Sequence, residues 1–207
     1  MGDVDSSRVM LLREALAGSG WVERTRSFAS SLRRVEQPGG LLLVGTPDEE
    51  PWHLAAHLDD EARISGIDQL APTLVRWSPP ADAPAHLSVT LARLEAARRG
   101  ETVFVVAPDA PPESLLERVA DAKRIGATVL SIDDGDDDLG SIAHDRLVVP
   151  SSSEQRLVVA QELPDAVDID TVSHLVSVAA GENVSRQSMR DRIARMLDRM
   201  SGPAPHR

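Results

Sequence analysis

Residues 100–151 have the sequence GETVFVVAPDAPPESLLERVADAKRIGATVLSIDDGDDDLGSIAHDRLVVPS, and this stretch decides the fold. Thr102–Ala107 is an uninterrupted apolar and β-branched run, which is typical of a strand buried on both faces of a parallel sheet. Two prolines and apolar residues at helical spacing follow it, and they predict a helix that ends at Gly126. Ala127–Ile132 and Arg146–Val149 predict two further strands. The stretch therefore predicts strand–helix–strand units, whose loops at the carboxyl ends of the strands bind ligands in open α/β sheets.

The chain before this stretch continues the alternation of strands and helices. Leu41–Gly45 and Thr73–Trp77 are apolar runs that predict two more strands, and Trp52–Ile64 and His86–Arg99 are predicted as helices. The pattern favours an α/β fold, a doubly wound three-layer sandwich of about five parallel strands flanked by helices.

The regions outside the predicted sheet have a helical pattern. We expect N-terminal helices over residues 1–37, the α/β core over 38–150, C-terminal helices over 151–200 and a disordered tail over 201–207. The last helix has an apolar stripe on one side and arginines on the others, so we expect it to pack on the core or on a second subunit.

Composition limits the classes of function. The 207 residues are 42% hydrophobic and 27% charged, which is an ordinary globular balance, and none is cysteine. The net charge of −11 weighs against nucleic-acid binding, because phosphate contacts require a positive surface. No apolar stretch reaches the roughly 18 residues of a membrane span, so we expect a cytoplasmic protein without membrane contact.

Two short sequences carry a resemblance to a known family. Residues 122–127 are AKRIGA, and residues 142–145 are IAHD, followed by Val149 and Pro150. Together with the strand–helix–strand pattern, they make the region 38–150 resemble the sugar isomerase (SIS) domain family. Within that family, the region most resembles the phosphoheptose isomerase branch. The resemblance implies an α/β sandwich that binds carbohydrate derivatives at the strand ends.

The loops at those strand ends depart from the family's pattern. The family's loop after the third strand resembles S-x-S-G-x-S/T, whose hydroxyls and backbone N–H groups hold a phosphate. Here residues 107–113 are APDAPPE, in which prolines remove backbone donors and two carboxylates add negative charge. The predicted ligand-cleft residues, taken from the three acidic loops, are Thr46, Asp48, Glu49, Asp109, Glu113, Asp133 and Asp134.

Simpler interpretations of these acidic residues stay open. Asp48, Glu49, Glu50 and Glu113 fit the first turns of helices, where the helix dipole favours a negative charge. The acidic turn, residues 133–138 with the sequence DDGDDD, fits a solvated loop, and its spacing does not match a calcium-binding loop.

A zinc site is the alternative that would make the protein an enzyme. His57 and Glu61 lie four residues apart on one predicted helical face. Phosphoheptose isomerases have a similar H-x-x-x-E on the helix after the first strand, and His174 lies on the helix where that family has further ligands. The resemblance thus implies a zinc site of His57, Glu61 and His174, with Glu61 and His174 as catalytic candidates, although the spacing from Gly45 to His57 differs from the family's.

The absence of the phosphate-binding pattern decides between these functions. We predict a catalytically degenerate SIS-like module with a binding, regulatory or assembly role and no cofactor, and the zinc-dependent sugar-phosphate isomerase is the alternative. A homodimer or homotetramer formed through the terminal helices is expected, as in the family, and docking of the last helix to a protein partner or an anionic surface is the alternative.

Overall fold

The computed structural model describes residues 20–150 and 168–182, and within them it confirms the predicted α/β sandwich. The strands are β1 Leu41–Val44, β2 Thr73–Val75, β3 Thr102–Ala107, β4 Thr128–Asp133 and β5 Asp145–Val148. The helices are α1 Gly20–Leu32, α2 Trp52–Ser65, α3 Ala92–Glu95, α4 Glu113–Ile125, α5 Asp137–Ile142 and α6 169–182. Short 3₁₀ turns occupy Asp68–Leu70 and Ala85–Leu87.

The five strands form one parallel sheet in the order β2-β1-β3-β4-β5. Strand β3 lies at its centre, and all six of its residues are buried, which explains its continuous apolar sequence. The order reverses between β1 and β3. In open α/β sheets such a reversal opens a crevice at the carboxyl ends of the strands.

Helices cover both faces of the sheet. Alternate residues of β1 belong to different cores because successive side chains of a strand point to opposite faces. Leu41 and Leu43 pack in a core that includes α1, α2 and α6, whereas Leu42 and Val44 pack in a core that includes α4, α5 and Leu94 of α3. This arrangement is the predicted doubly wound sandwich.

The prediction of a single helix over His86–Arg99 is wrong. Val89 accepts a backbone hydrogen bond from Arg76 at 2.8 Å, and Thr90 forms a β-bridge with the same residue. Because this backbone extends the edge of the sheet beside β2, only a 3₁₀ turn and the four-residue α3 form in the segment.

Helix α5 was not predicted from the sequence. Asp136, in the acidic turn, accepts a hydrogen bond from the backbone N–H of Leu139 at 2.8 Å, which is a helix N-cap. The signal was present as an aspartate three residues before a buried leucine, but the run of aspartates obscured it.

The terminal predictions are described only in part. Residues 1–19, 151–167 and 183–207, which include the start of the N-terminal region, most of the C-terminal region and the tail, lie outside the described residues. Among the helices that the structure describes, none is long and apolar enough to cross a membrane.

Candidate ligand cleft

A cleft of about 660 Å³ lies at the carboxyl-terminal edge of the sheet. It is bordered by the loop before α2, the ends of β3 and β5 and the first turn of α6. The side chains that matter most for its chemistry are Glu49, Trp52, His53, Pro108, Asp170 and Ser173. The three acidic loops were predicted to contact a ligand at this same edge of the sheet.

An ion pair holds the loop between β1 and α2. Glu50 accepts a hydrogen bond from Arg76 Nε at 2.9 Å and another from the backbone N–H of Trp77 at 3.1 Å. The side chains of Glu50 and Arg76 are only 15% and 14% exposed, so each neutralises the other in a partly dehydrated setting. Glu50 therefore brings little net charge to the cleft, although it lines it.

The position of this loop corrects one interpretation of its acidic residues. Helix α2 begins at Trp52 after Pro51 and has no acidic residue in its first turn, so Asp48, Glu49 and Glu50 do not belong to that turn. Glu113, by contrast, lies in the first turn of α4 as expected. Asp48 and Glu49 are exposed to solvent, and Glu49 lines the cleft.

Close packing shapes the same loop. A side chain at Gly45 would collide with the backbone carbonyl of Glu49 and with the ring of Pro51, so the chain can fold back on itself only at a glycine. Trp77 Nε1 donates a hydrogen bond to the Gly45 carbonyl at 2.9 Å. Thr46 is 2% exposed, and its hydroxyl has no hydrogen-bond partner in the part of the chain that the structure describes.

Asp133 has a structural role that was not predicted from the sequence. Its carboxylate is fully buried at the end of β4 and accepts hydrogen bonds from Arg146 at 2.7 Å, Ser131 at 2.7 Å and the Gly135 backbone at 3.0 Å. The solvated-loop interpretation is therefore wrong for Asp133. Arg146 compensates its charge, and the carboxylate oxygens already accept hydrogen bonds within the chain. Asp133 is therefore less able to bind a ligand than an exposed carboxylate.

Asp134 retains the character of an acidic rim. Burial is the main cause of a raised pKa for this carboxyl, and the carboxylates of Asp133, Asp109 and Asp136 raise it further. The loops after β3 and β4 start side by side, because these strands are paired in parallel with Ala107 opposite Asp133. Negative charge thus accumulates at this part of the rim, where a phosphate dianion would be repelled.

The histidines of the zinc alternative meet between α2 and α6. The rings of His57 and His174 contact edge to face with centroids 4.2 Å apart, and His53 contacts His57 at 4.7 Å. Glu61 lies one turn further along α2, where its carboxylate occupies the space beside Gly181. Across residues 20–150 and 168–182, no group of three or more His, Asp or Glu side chains is arranged to hold a metal ion.

Glu61 provides a test of the contact between α2 and α6. Burial raises the pKa of its carboxyl, and the charges of Asp60 and Glu182 raise it further. Because the folded-state pKa lies above the unfolded one, stability is lost as the pH rises from the unfolded pKa through the folded pKa. We expect Glu61→Gln to raise the melting temperature at pH 7 and to have no such effect below about pH 4, where the carboxyl is protonated in both states.

Thermal melts of the native protein and of Glu61→Gln, at pH 7 and below about pH 4, measure this difference in melting temperature. Asp59→Asn is the matched control, because Asp59 lies on the same helix with its side chain 53% exposed. Its substitution is expected to change the melting temperature by no more than about 2 °C at either pH. A Glu61→Gln protein that melts lower than the native protein at pH 7 would show that the carboxylate is stabilising, contrary to this prediction.

The two helices that begin at the cleft have little capacity left for an anion. Asp168 accepts a hydrogen bond from the backbone N–H of Thr171 at 2.8 Å, so a carboxylate already occupies the N-terminus of α6. At α2, Pro51 has no N–H, and the N–H of Trp52 bonds to the Glu50 carbonyl at 2.8 Å. The positive ends of both helix dipoles are thereby partly satisfied within the chain.

Comparisons with known proteins agree with the fold. No protein-family model matches the sequence, and no curated protein is similar enough to match it. The structure is similar to the sugar isomerase domain of the RpiR transcription factor from Sphaerobacter thermophilus, with a TM-score of 0.53, 17% identity and coverage of 86% of each chain. A weaker likeness, too low to support an inference, is to the Vibrio vulnificus NanR protein complexed with ManNAc-6P: TM-score 0.47, 12% identity, 91% of this chain and 62% of that one.

In the structure, the strand order β2-β1-β3-β4-β5 occurs together with the predicted parallel sheet and the predicted helices on both faces. The RpiR domain is similar to it over most of its length, so the predicted resemblance is confirmed for the architecture. The chain has the fold of a sugar isomerase domain.

Proposed function

We propose that the protein is a ligand-binding module with the SIS fold that does not isomerise sugar phosphates and that serves a regulatory or assembly role. The observation that carries this proposal is the loop after β3. Pro108, Pro111 and Pro112 remove three backbone donors where a phosphate loop needs them, and α4 begins after Pro112 without a side-chain cap.

The electrostatics of the cleft support the same proposal. No lysine or arginine belongs to its described lining, whereas Glu49, Glu50, Asp168 and Asp170 do. A phosphate bound there would meet uncompensated negative charge and would lose its hydration without gaining charged donors. Isomerisation of a phosphosugar also requires a base beside the reacting carbon, and phosphate binding is what positions the substrate for that base.

A regulatory role fits an intact scaffold that lacks the phosphate loop. The RpiR protein with the similar fold is a transcription factor, so this scaffold also occurs in regulators. A module of this type responds to a ligand by shifting between conformations or assemblies for which the ligand has different affinities. We extend that use to the present chain, with the cleft as the sensing site.

Enzyme assays and thermal melts test the proposal. The purified protein is expected to show no turnover of fructose 6-phosphate or sedoheptulose 7-phosphate, and neither compound should raise its melting temperature. A ligand at 100 times its dissociation constant stabilises a protein by about 2.7 kcal/mol, or roughly 5–10 °C at this chain length, so binding would be plainly visible. Turnover, or a shift of that size with either phosphosugar, contradicts the proposal.

Metal analysis separates the proposal from the zinc-dependent alternative. That alternative requires stoichiometric zinc in protein purified without chelator or affinity tag, and it requires the zinc to disappear in His57→Ala. His86→Ala is a suitable control because His86 is exposed in the 3₁₀ turn Ala85–Leu87. Zinc that is retained in the control and lost in His57→Ala would favour the enzyme.

A further inference from the structure

An exposed tryptophan gives the cleft a flat apolar surface. Trp52 is 41% exposed and lines the cleft, and the guanidinium of Arg76 stacks over its ring at 4.5 Å from the centroid. Arg76 is held by Glu50, so the stack fixes the indole from one side. The remaining ring surface can attract a cation or pack against the C–H groups of a ligand.

Two carboxylates of the cleft are not neutralised. Glu49 and Asp170 are exposed, and neither forms an ion pair with any residue in 20–150 or 168–182. They differ in this respect from Glu50, which is paired with Arg76, and from Asp168, which caps α6. The free charge of the described cleft is therefore negative.

A buried hydroxyl completes the polar side of the cleft. Ser173 is only 5% exposed and lines the cleft from α6. A hydroxyl in the wall of a cleft can donate one hydrogen bond to a ligand's polar group and can accept others. His53, also in the lining, offers a second polar atom.

These features together define a class of ligand. We infer that the cleft binds a small protonated amine on a hydroxylated skeleton, without a phosphate. Glu49 and Asp170 bind the ammonium group, the ring of Trp52 packs against the skeleton, and Ser173 bonds to a hydroxyl. The inference rests on the proposed binding function and names its ligand class, since an ammonium group meets favourable charge where a phosphate meets repulsion.

A matched series of three sugars tests the charge requirement. Glucosamine, glucose and glucosamine 6-phosphate share a ring and differ in charge, and calorimetric titrations at about pH 6.5 keep the amine protonated. We expect glucosamine to bind at least about tenfold more tightly than glucose and glucosamine 6-phosphate to show no binding up to about 10 mM. Added salt should weaken the binding of glucosamine, because it screens the two exposed carboxylates.

Variants test the residues. Glu49→Gln and Asp170→Asn are each expected to weaken glucosamine binding by about fivefold or more, and Trp52→Ala should weaken glucosamine and glucose alike. Asp82→Asn is the control, since Asp82 is exposed in a turn that does not line the cleft. Circular dichroism confirms that each variant is folded before it is titrated.

The outcomes distinguish failure of this inference from failure of the proposed function. Equal affinity for glucosamine and glucose, or no binding of glucosamine, overturns the amine assignment while the absence of isomerase activity still stands. Tighter binding of glucosamine 6-phosphate overturns the inference as well, and turnover of that compound overturns both.

Discussion

Asp133→Asn is expected to destabilise the protein by about 3 kcal/mol. Removing one partner of a buried ion pair costs about 3–5 kcal/mol because the other charge is left uncompensated, and Arg146 keeps 23% of its side chain exposed, which places the effect at the lower end. The asparagine also loses acceptors for the bonds now made by Arg146, Ser131 and Gly135. Urea denaturation at pH 7 measures the loss.

The acidic turn supplies its own control for this experiment. Asp138→Asn changes an exposed carboxylate of the same turn that lies in the first turn of α5, so it should cost no more than about 1 kcal/mol. Asp133→Asn combined with Arg146→Met removes both charges and should cost less than the sum of the two single substitutions. Equal effects of Asp133→Asn and Asp138→Asn would show that the buried pair is not formed.

Phe28→Ala is expected to destabilise the protein by about 3–5 kcal/mol, the usual cost of removing a phenylalanine side chain from a core. Phe28, on α1, is fully buried, and its ring contacts that of Phe104 at the centre of β3 with centroids 5.5 Å apart. The substitution leaves a cavity between α1 and the sheet. The melting temperature should fall by roughly 6–20 °C.

This second prediction tests how α1 belongs to the fold. Ser27→Ala is the matched control, because Ser27 precedes Phe28 on the same helix and is exposed. Its effect should remain within about 0.5 kcal/mol. A small loss for Phe28→Ala would mean that α1 contributes little to the cooperative unit, whereas the expected loss would show that the helix and the sheet unfold together.

Much of the sheet could be predicted because its signals are local. Thr102–Ala107 forms β3, and the helix ending at Gly126 forms α4, whose C-terminus has Gly126 in the left-handed conformation at φ 108°. A buried parallel strand must be apolar along its whole length, and a helix terminus of this kind favours glycine. The helix predicted over His86–Arg99 does not form over that length because the backbone N–H of Arg76 bonds to the carbonyl of Val89 within the segment.

The candidate site was less predictable from the sequence. The prolines in residues 107–113 remove backbone hydrogen-bond donors, and the sequence alone shows this. No local pattern pointed to Trp52, Ser173 or Asp170, which reach the cleft from segments more than 100 residues apart. A proline before Trp52 marked a helix start, but nothing local indicated that the start of α6 would face it.

The sequence by itself determined the parallel α/β scaffold and the loss of backbone N–H donors that could bind a phosphate after β3. Apolar runs, prolines and glycines have these effects because they constrain the backbone locally. Only the tertiary structure decided which acidic residues carry free charge. Asp133 and Glu50 are neutralised by Arg146 and Arg76, whereas Glu49 and Asp170 have no such partner among the described residues. Charge compensation depends on distances of a few ångströms between segments far apart in the chain, and folding alone sets those distances.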